Sequence, residues 1–195
     1  LSGLSNAYFD CYRLTSDMEC LTLADRYAQV AVEESRQAQD RRRYARAMMY
    51  QGSLWLRPGM LEEAINLLEE ARRIFRALEH HYYLATVAIY LGEAYMMSGE
   101  YGPLGVCVDE GIKEAQAYRH AYYRQLSQLR VLKAHACCYQ NRYEEAVDSL
   151  ASALADAILF NRYQVETIAD RQRTPPTELH NFTKCATPEA IQRKD

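Results

Sequence analysis

The 195-residue chain has no long apolar run. Its longest, Leu84 to Leu91, is less than half of the roughly 20 residues that a helix needs to cross a bilayer, so no membrane span is expected. A basic excess is also missing: 26 acidic against 23 basic side chains leave a formal charge of -3. Little positive charge is left over to neutralise phosphates, and direct nucleic-acid binding is not expected. Leu1 to Asp10 lacks the basic segment followed by an apolar one that marks a secretory leader. The six cysteines, Cys11, Cys20, Cys107, Cys137, Cys138 and Cys185, show neither paired zinc spacing nor the density of a disulfide scaffold, so reduced thiols in a cytoplasmic protein are expected.

Signatures of chemistry are absent too. There is no Gly-x-x-x-x-Gly-Lys phosphate loop and no Gly-x-Ser-x-Gly elbow. The acid pairs Glu62-Glu63, Glu69-Glu70 and Glu144-Glu145 read as solvated helix faces. His135, Cys137 and Cys138 crowd together, but adjacent helical positions point about 100° apart and rarely ligate one ion. The expectation is a protein that is no enzyme and holds neither cofactor nor metal.

What is present is a repeat. The composition, 49% hydrophobic and 25% charged, is that of a folded chain, long enough for one domain or one short array. The start at Leu1 without methionine suggests a processed product or a domain excised from a larger protein. Displaced by 40 residues, the chain places Gly52 on Gly92, Gly59 on Gly99, Ala24 on Ala64, Ala31 on Ala71, His80 on His120 and Tyr82-Tyr83 on Tyr122-Tyr123. A displacement of 42 carries Tyr101 onto Tyr143 and Leu104 onto Ala146. The unit recurs about four times.

Inside each unit apolar residues recur at intervals of three and four, as in Leu61, Ala64, Ile65, Leu68, Ala71, Ile74, Phe75 and Leu78, which is the stripe of an amphipathic helix. Breaks fall at Arg57-Pro58-Gly59, Ser98-Gly99-Glu100 and Gln140-Asn141-Arg142. The pattern predicts helices near 5–16, 19–38, 41–57, 60–78, 81–98, 101–118, 121–140, 143–159 and 162–173. Small residues (Gly52, Gly92, Ala134) in the first helix of a pair are expected to face Ala64, Leu104 and Ala146 in the second. Trp55, Tyr95, Leu68 and Leu150 are expected to fill the space between pairs.

Gly52-Ser53-Leu54-Trp55 with Gly59, Leu61, Ala64, Leu68 and Ala71 resembles the tetratricopeptide repeat. Gly92, Tyr95, Gly99, Tyr101, Leu104, Val108 and Gly111 repeat it, with leucine and glycine where alanine is usual. A third copy runs through Ala134, Cys137, Asn141, Tyr143, Ala146, Leu150 and Ala153. A weaker first copy has Tyr12 and Thr15 at the small and aromatic positions, followed by Ala24, Ala28 and Ala31. The resemblance covers roughly residues 5–160 and implies an all-α fold. That fold is a right-handed α-solenoid of about four helix-turn-helix repeats with a C-terminal capping helix, over 1–173, followed by a polar tail at 174–195. The period of 40 to 42 exceeds the usual 34 and is similar to that of sensor arrays in maltose-activator-type regulators and of peptide-pheromone receptors.

In that family the first helices line a concave surface, which the resemblance puts at Phe9, Arg13 and Ser16; Met49, Ser53 and Leu56; Ile89, Glu93, Met96 and Met97; and Val131, His135, Cys138 and Tyr139. Positions that in chaperone-binding members hold lysine, asparagine and arginine around a terminal carboxylate hold Phe9, Met49, Ile89 and Val131 here, so no carboxylate clamp is expected. Methionines beside aromatics suit an apolar or amphipathic segment laid in a groove, unless Met48, Met49, Met96 and Met97 are core. The function implied is a scaffold for a protein or peptide ligand, with self-association possible. The alternative is an effector-sensing array of a larger regulator. The basic run Asp40-Arg41-Arg42-Arg43-Tyr44-Ala45-Arg46 reads as a solvated helix start. Pro175-Pro176 halts the last helix, and Thr187-Pro188-Glu189 either opens a short helix or belongs to a disordered tail.

Overall fold

A computed structural model describes residues 2–56, 59–117 and 122–173. Among them the chain forms eight α-helices and no strand: α1 Ser2–Thr15, α2 Met18–Gln37, α3 Arg41–Trp55, α4 Leu61–Ala77, α5 His81–Ser98, α6 Tyr101–Gln116, α7 Tyr123–Tyr139 and α8 Tyr143–Arg173. Arg57, Pro58, His120, the Pro175-Pro176 stop, the Thr187-Pro188-Glu189 segment, Cys185 and the rest of 174–195 lie outside the described residues, as does the side chain of Arg13.

The helices stop where the backbone turns left-handed. Gln39, Gly59, Glu79 and Gly99 take φ values of 54, 83, 51 and 78°, one every 20 residues, so that the 40-residue repeat consists of two half-units of equal length. Ser16 and Asn141 take the same conformation. At Glu79 the amide donates to the Arg76 carbonyl at 3.1 Å, and the His80 amide donates to the Phe75 carbonyl at 3.0 Å. The same pair of bonds closes the ends at Gln39, Gly99 and Asn141, which is the Schellman arrangement that satisfies the last carbonyls of a helix. Two helices also begin on capping aspartates: Asp17 accepts from the Glu19 amide and Asp40 from the Arg43 amide, each at 2.9 Å.

The expected helix count needs correction. The separate helices near 143–159 and 162–173 are a single helix, α8, because Phe160-Asn161-Arg162 contains no glycine or proline to turn the chain. The chain divides after Ala157 into two compact units. Within the second, the described residues 158–173 are the end of α8, where Ile158 and Tyr163 are exposed.

Within the first unit, from α1 to α7, each helix packs on its successor, and α1 with α3, α3 with α5, and α5 with α7 also touch. Phe75, Leu68, Leu91, Leu104, Leu126 and Leu129 are fully buried in one continuous cluster. Close approach depends on small residues. A Cβ on Gly52 would meet Leu68 Cγ of α4 at 2.8 Å, and one on Gly111 would meet Ala88 Cβ of α5 at 2.5 Å. Ala134, Cys137 and Ala146 make the corresponding contact between α7 and α8. The expected space-fillers divide: Leu68 is buried, Trp55 is half-buried with its indole N–H donating to Asp25, and Tyr95 donates to Glu69. Leu150, expected to fill space between pairs, is instead exposed, because no described helix follows α8. No helix among the described residues is long and apolar enough to cross a membrane.

Candidate binding cavity on the first-helix face

Helices α1, α3, α5 and α7 together line a cavity of about 280 Å³. Each contributes from one stripe. Phe9 and Asp10 come from α1, and Met49, Tyr50 and Ser53 from α3. Tyr82, Thr86, Ile89, Tyr90 and Glu93 recur at helical spacing along α5, with Tyr83 beside them, and Arg124, Gln125 and Gln128 come from α7.

The apolar members form the floor. Met49 is wholly buried and Ile89 nearly so, leaving polar groups and aromatic rings to face the opening. Ser53 Oγ donates to the Tyr50 carbonyl at 2.8 Å and Thr86 Oγ1 to the Tyr82 carbonyl at 2.9 Å. With their protons committed to backbone, both hydroxyls offer lone pairs. Tyr90 is a neutral phenol throughout the physiological range. Burial first, then the nearby Tyr50 and Glu93, push it up to about 12, with Arg124 pulling the other way.

Gln125 is the most telling of these groups. It is only 7% exposed, yet its carboxamide makes no hydrogen bond among the described residues. Gln125 lines the cavity, and that is where its carboxamide can find partners. Beside it, the exposed Arg124 guanidinium makes no ion pair among the described residues.

The sequence-predicted positions fall into two groups. Met49, Ser53, Ile89 and Glu93 line the cavity, as does Phe9. Leu56 is buried against Ala64 and Ala94, and Met96 packs partly buried on the main core. Val131 and His135 are exposed on α7 away from the cavity. Tyr139 stacks on Tyr101 of α6 with ring centres 3.6 Å apart. Of the other methionines weighed as groove or core, Met48 and Met49 are core and Met97 is exposed. The expected apolar strip is therefore not a surface: its methionine and isoleucine are packed inside, and the accessible lining is polar and tyrosine-rich.

Counting from the small residue of each pair missed Tyr82, Tyr90, Arg124, Gln125 and Gln128. One signal for them existed. Gln125 interrupts the buried face that runs on through Leu126, Leu129 and Leu132, and a polar residue on an apolar stripe asks for a partner. His80, the repeated histidine, sits at the N-cap of α5 against Phe75 and Tyr83, where burial and then Arg42 hold its pKa below the usual value. Among the described residues no group of three or more His, Cys, Asp or Glu side chains is placed to hold a metal ion. No known family model matches the chain, and no curated protein matches it.

Proposed function

We propose that this chain is a tetratricopeptide-like right-handed solenoid that binds a segment of another protein on its first-helix face, with the cavity receiving a polar group of that segment. Gln125 carries the reading: a carboxamide nine-tenths buried that lines the cavity and makes no hydrogen bond among the described residues is a donor and an acceptor open to a ligand. The solenoid reading draws on the contacts among α1, α3, α5 and α7. On the other side, α4 and α6 meet through long side chains, Arg72 and Arg76 reaching Glu110 at 3.5 and 2.9 Å. Backbones closer on one side than on the other are what a curved stack with the first helices inside requires.

The chemistry of the lining alters the ligand from the apolar or amphipathic segment first expected to one with hydrogen-bonding side chains. The experiment is affinity capture with three baits: the wild-type chain, Gln125→Leu, and Tyr90→Phe, each verified by circular dichroism to keep its helicity and melting point. A partner retained by the wild type and lost from both variants supports the cavity. The same partners on all three baits would place the binding surface elsewhere. The alternative, an effector-sensing array of a larger regulator, draws on the size of the cavity, which suits a small molecule as well as one side chain. A melting-point rise with a small metabolite that is abolished by Gln125→Leu would favour it.

A further inference from the structure

Helices α6 and α8 carry corresponding rows of side chains 42 residues apart, and only one row is covered. On α6 the row is Tyr101, Gly105, Val108 and Ile112; on α8 it is Tyr143, Val147, Leu150 and Leu154. Helix α7 lies on the first: Tyr139 stacks on Tyr101, Val108 is 0% exposed, and Lys133 Nζ donates to Asp109 beside the row at 2.8 Å. On α8, Val147 is 65% exposed, Leu150 49% and Leu154 63%. Four large side chains at helical spacing, bare on α8 where the matching row of α6 lies under α7, mark an interaction surface.

Charge indicates what fits there. Around the bare row stand Glu144, Glu145 and Asp148, and no basic residue occurs between Arg142 and Arg162. Helix α7, which covers the α6 row, contains Arg124, Arg130 and Lys133 and no acid; helix α3, which packs on α2, has four arginines and no acid. At these two junctions an acid-free basic helix is seated on an acidic one, whereas α5, seated on α4, has Glu93 and no lysine or arginine. A second copy pairing through α8 would bring two acidic margins together instead.

We propose that the outer row of α8 docks an amphipathic helix of a partner protein with the chemistry of α7: apolar at three- and four-residue spacing, an aromatic ring to stack on Tyr143, lysine or arginine on its margins and no acid. This surface is separate from the first-helix cavity and does not depend on it.

The probe is a fluorescein-labelled peptide of residues 123–139 of this chain, with serine for its two cysteines, titrated with the full chain and followed by anisotropy. Saturable binding is expected, at least tenfold weaker to Leu150→Glu and to Leu154→Glu. Because both leucines are exposed, these variants keep the wild-type melting point. A control peptide with glutamate for Arg124, Arg130 and Lys133 should not bind, and raised salt should weaken the authentic peptide. The proposal is overturned by no binding, or by binding that survives the α8 substitutions. A chain dimer in sedimentation that Leu150→Glu dissociates would overturn it in favour of a second copy. Protection of Tyr143 and Leu154 from hydroxyl radicals in monomeric chain alone would overturn it in favour of the chain's own tail.

Discussion

Leu132 Cδ1 of α7 lies 2.8 Å from the point where a side chain on Gly92 of α5 would begin. The expected partner of Gly92 was Leu104 within its own pair, yet Leu104 Cδ1 stands farther off at 3.5 Å. The nearest obstacle to a side chain at Gly92 thus comes from α7, across the boundary between repeats, with Val108 and Leu104 of α6 close behind it at 3.4 and 3.5 Å.

Gly92→Leu should therefore destabilise the chain by about 1–3 kcal/mol, as overpacking of a filled core does. In a domain of this size that lowers the melting temperature by about 2–4 °C per kcal/mol. Gly102→Leu is the control, since nothing lies within 4 Å of its Cβ position, and it should melt close to wild type. An unchanged melting temperature in Gly92→Leu would show that α7 does not approach α5 as described.

Glu79 offers the opposite outcome. It occupies the left-handed turn between α4 and α5 at φ 51°, its side chain is exposed, and Gly99 fills the corresponding turn between α5 and α6. A non-glycine residue pays roughly 1–2 kcal/mol to sit there, part of which a glycine returns as extra freedom in the unfolded chain. Glu79→Gly should raise stability by a few tenths to about 1 kcal/mol, whereas Glu79→Ala, which keeps the strain, should not. Equal denaturation midpoints for the two variants would refute the strain.

Much of the fold was readable because its signals are local. Gly59 and Gly99 announced their turns, and the stripe through Ala64, Leu68, Ala71 and Phe75 announced α4. Gln39 and Glu79 end helices just as firmly but belong to no turn-forming class, and only the hydrogen bonds of the helix end hold them left-handed. The cavity was half readable. Met49 and Ile89 do line it, but a residue facing inward from a first helix can be floor or opening, and that depends on how α5 and α7 close over α3. Leu150 shows the same limit: its repeat position was recognised, while its exposure depends on which helix follows, which the repeat pattern does not contain.

The sulfurs of Cys11 on α1 and Cys20 on α2 lie 2.8 Å apart, with the Cys20 thiol also 3.8 Å from Asp17 Oδ2. A bond between them would need about 2.05 Å, so the pair requires only a small closure to join. Reduced thiols remain the resting form expected from the spacing of the cysteines, and the hydrogen bond with Cys11, followed by desolvation, pushes the Cys20 pKa up to about 11. At neutral pH Cys20 is then almost wholly thiol and slow to react, because the thiolate is the nucleophile. Hydrogen peroxide should nevertheless convert the two thiols to a disulfide and itself to two waters, at a rate that climbs as pH rises from 7 toward 10. The linked loop is short, so the oxidised chain should gain about 2–3 kcal/mol, read as a raised melting temperature that dithiothreitol reverses. A Cys138→Ser background removes the exposed thiol on α7 that would otherwise cross-link chains. Non-reducing peptide mapping should recover a Cys11–Cys20 linked fragment from this background and none from Cys20→Ser. Peroxide that leaves both cysteines free to alkylation, or that oxidises each separately to sulfinic acid without linking them, would show that α1 and α2 do not hold the sulfurs together in solution.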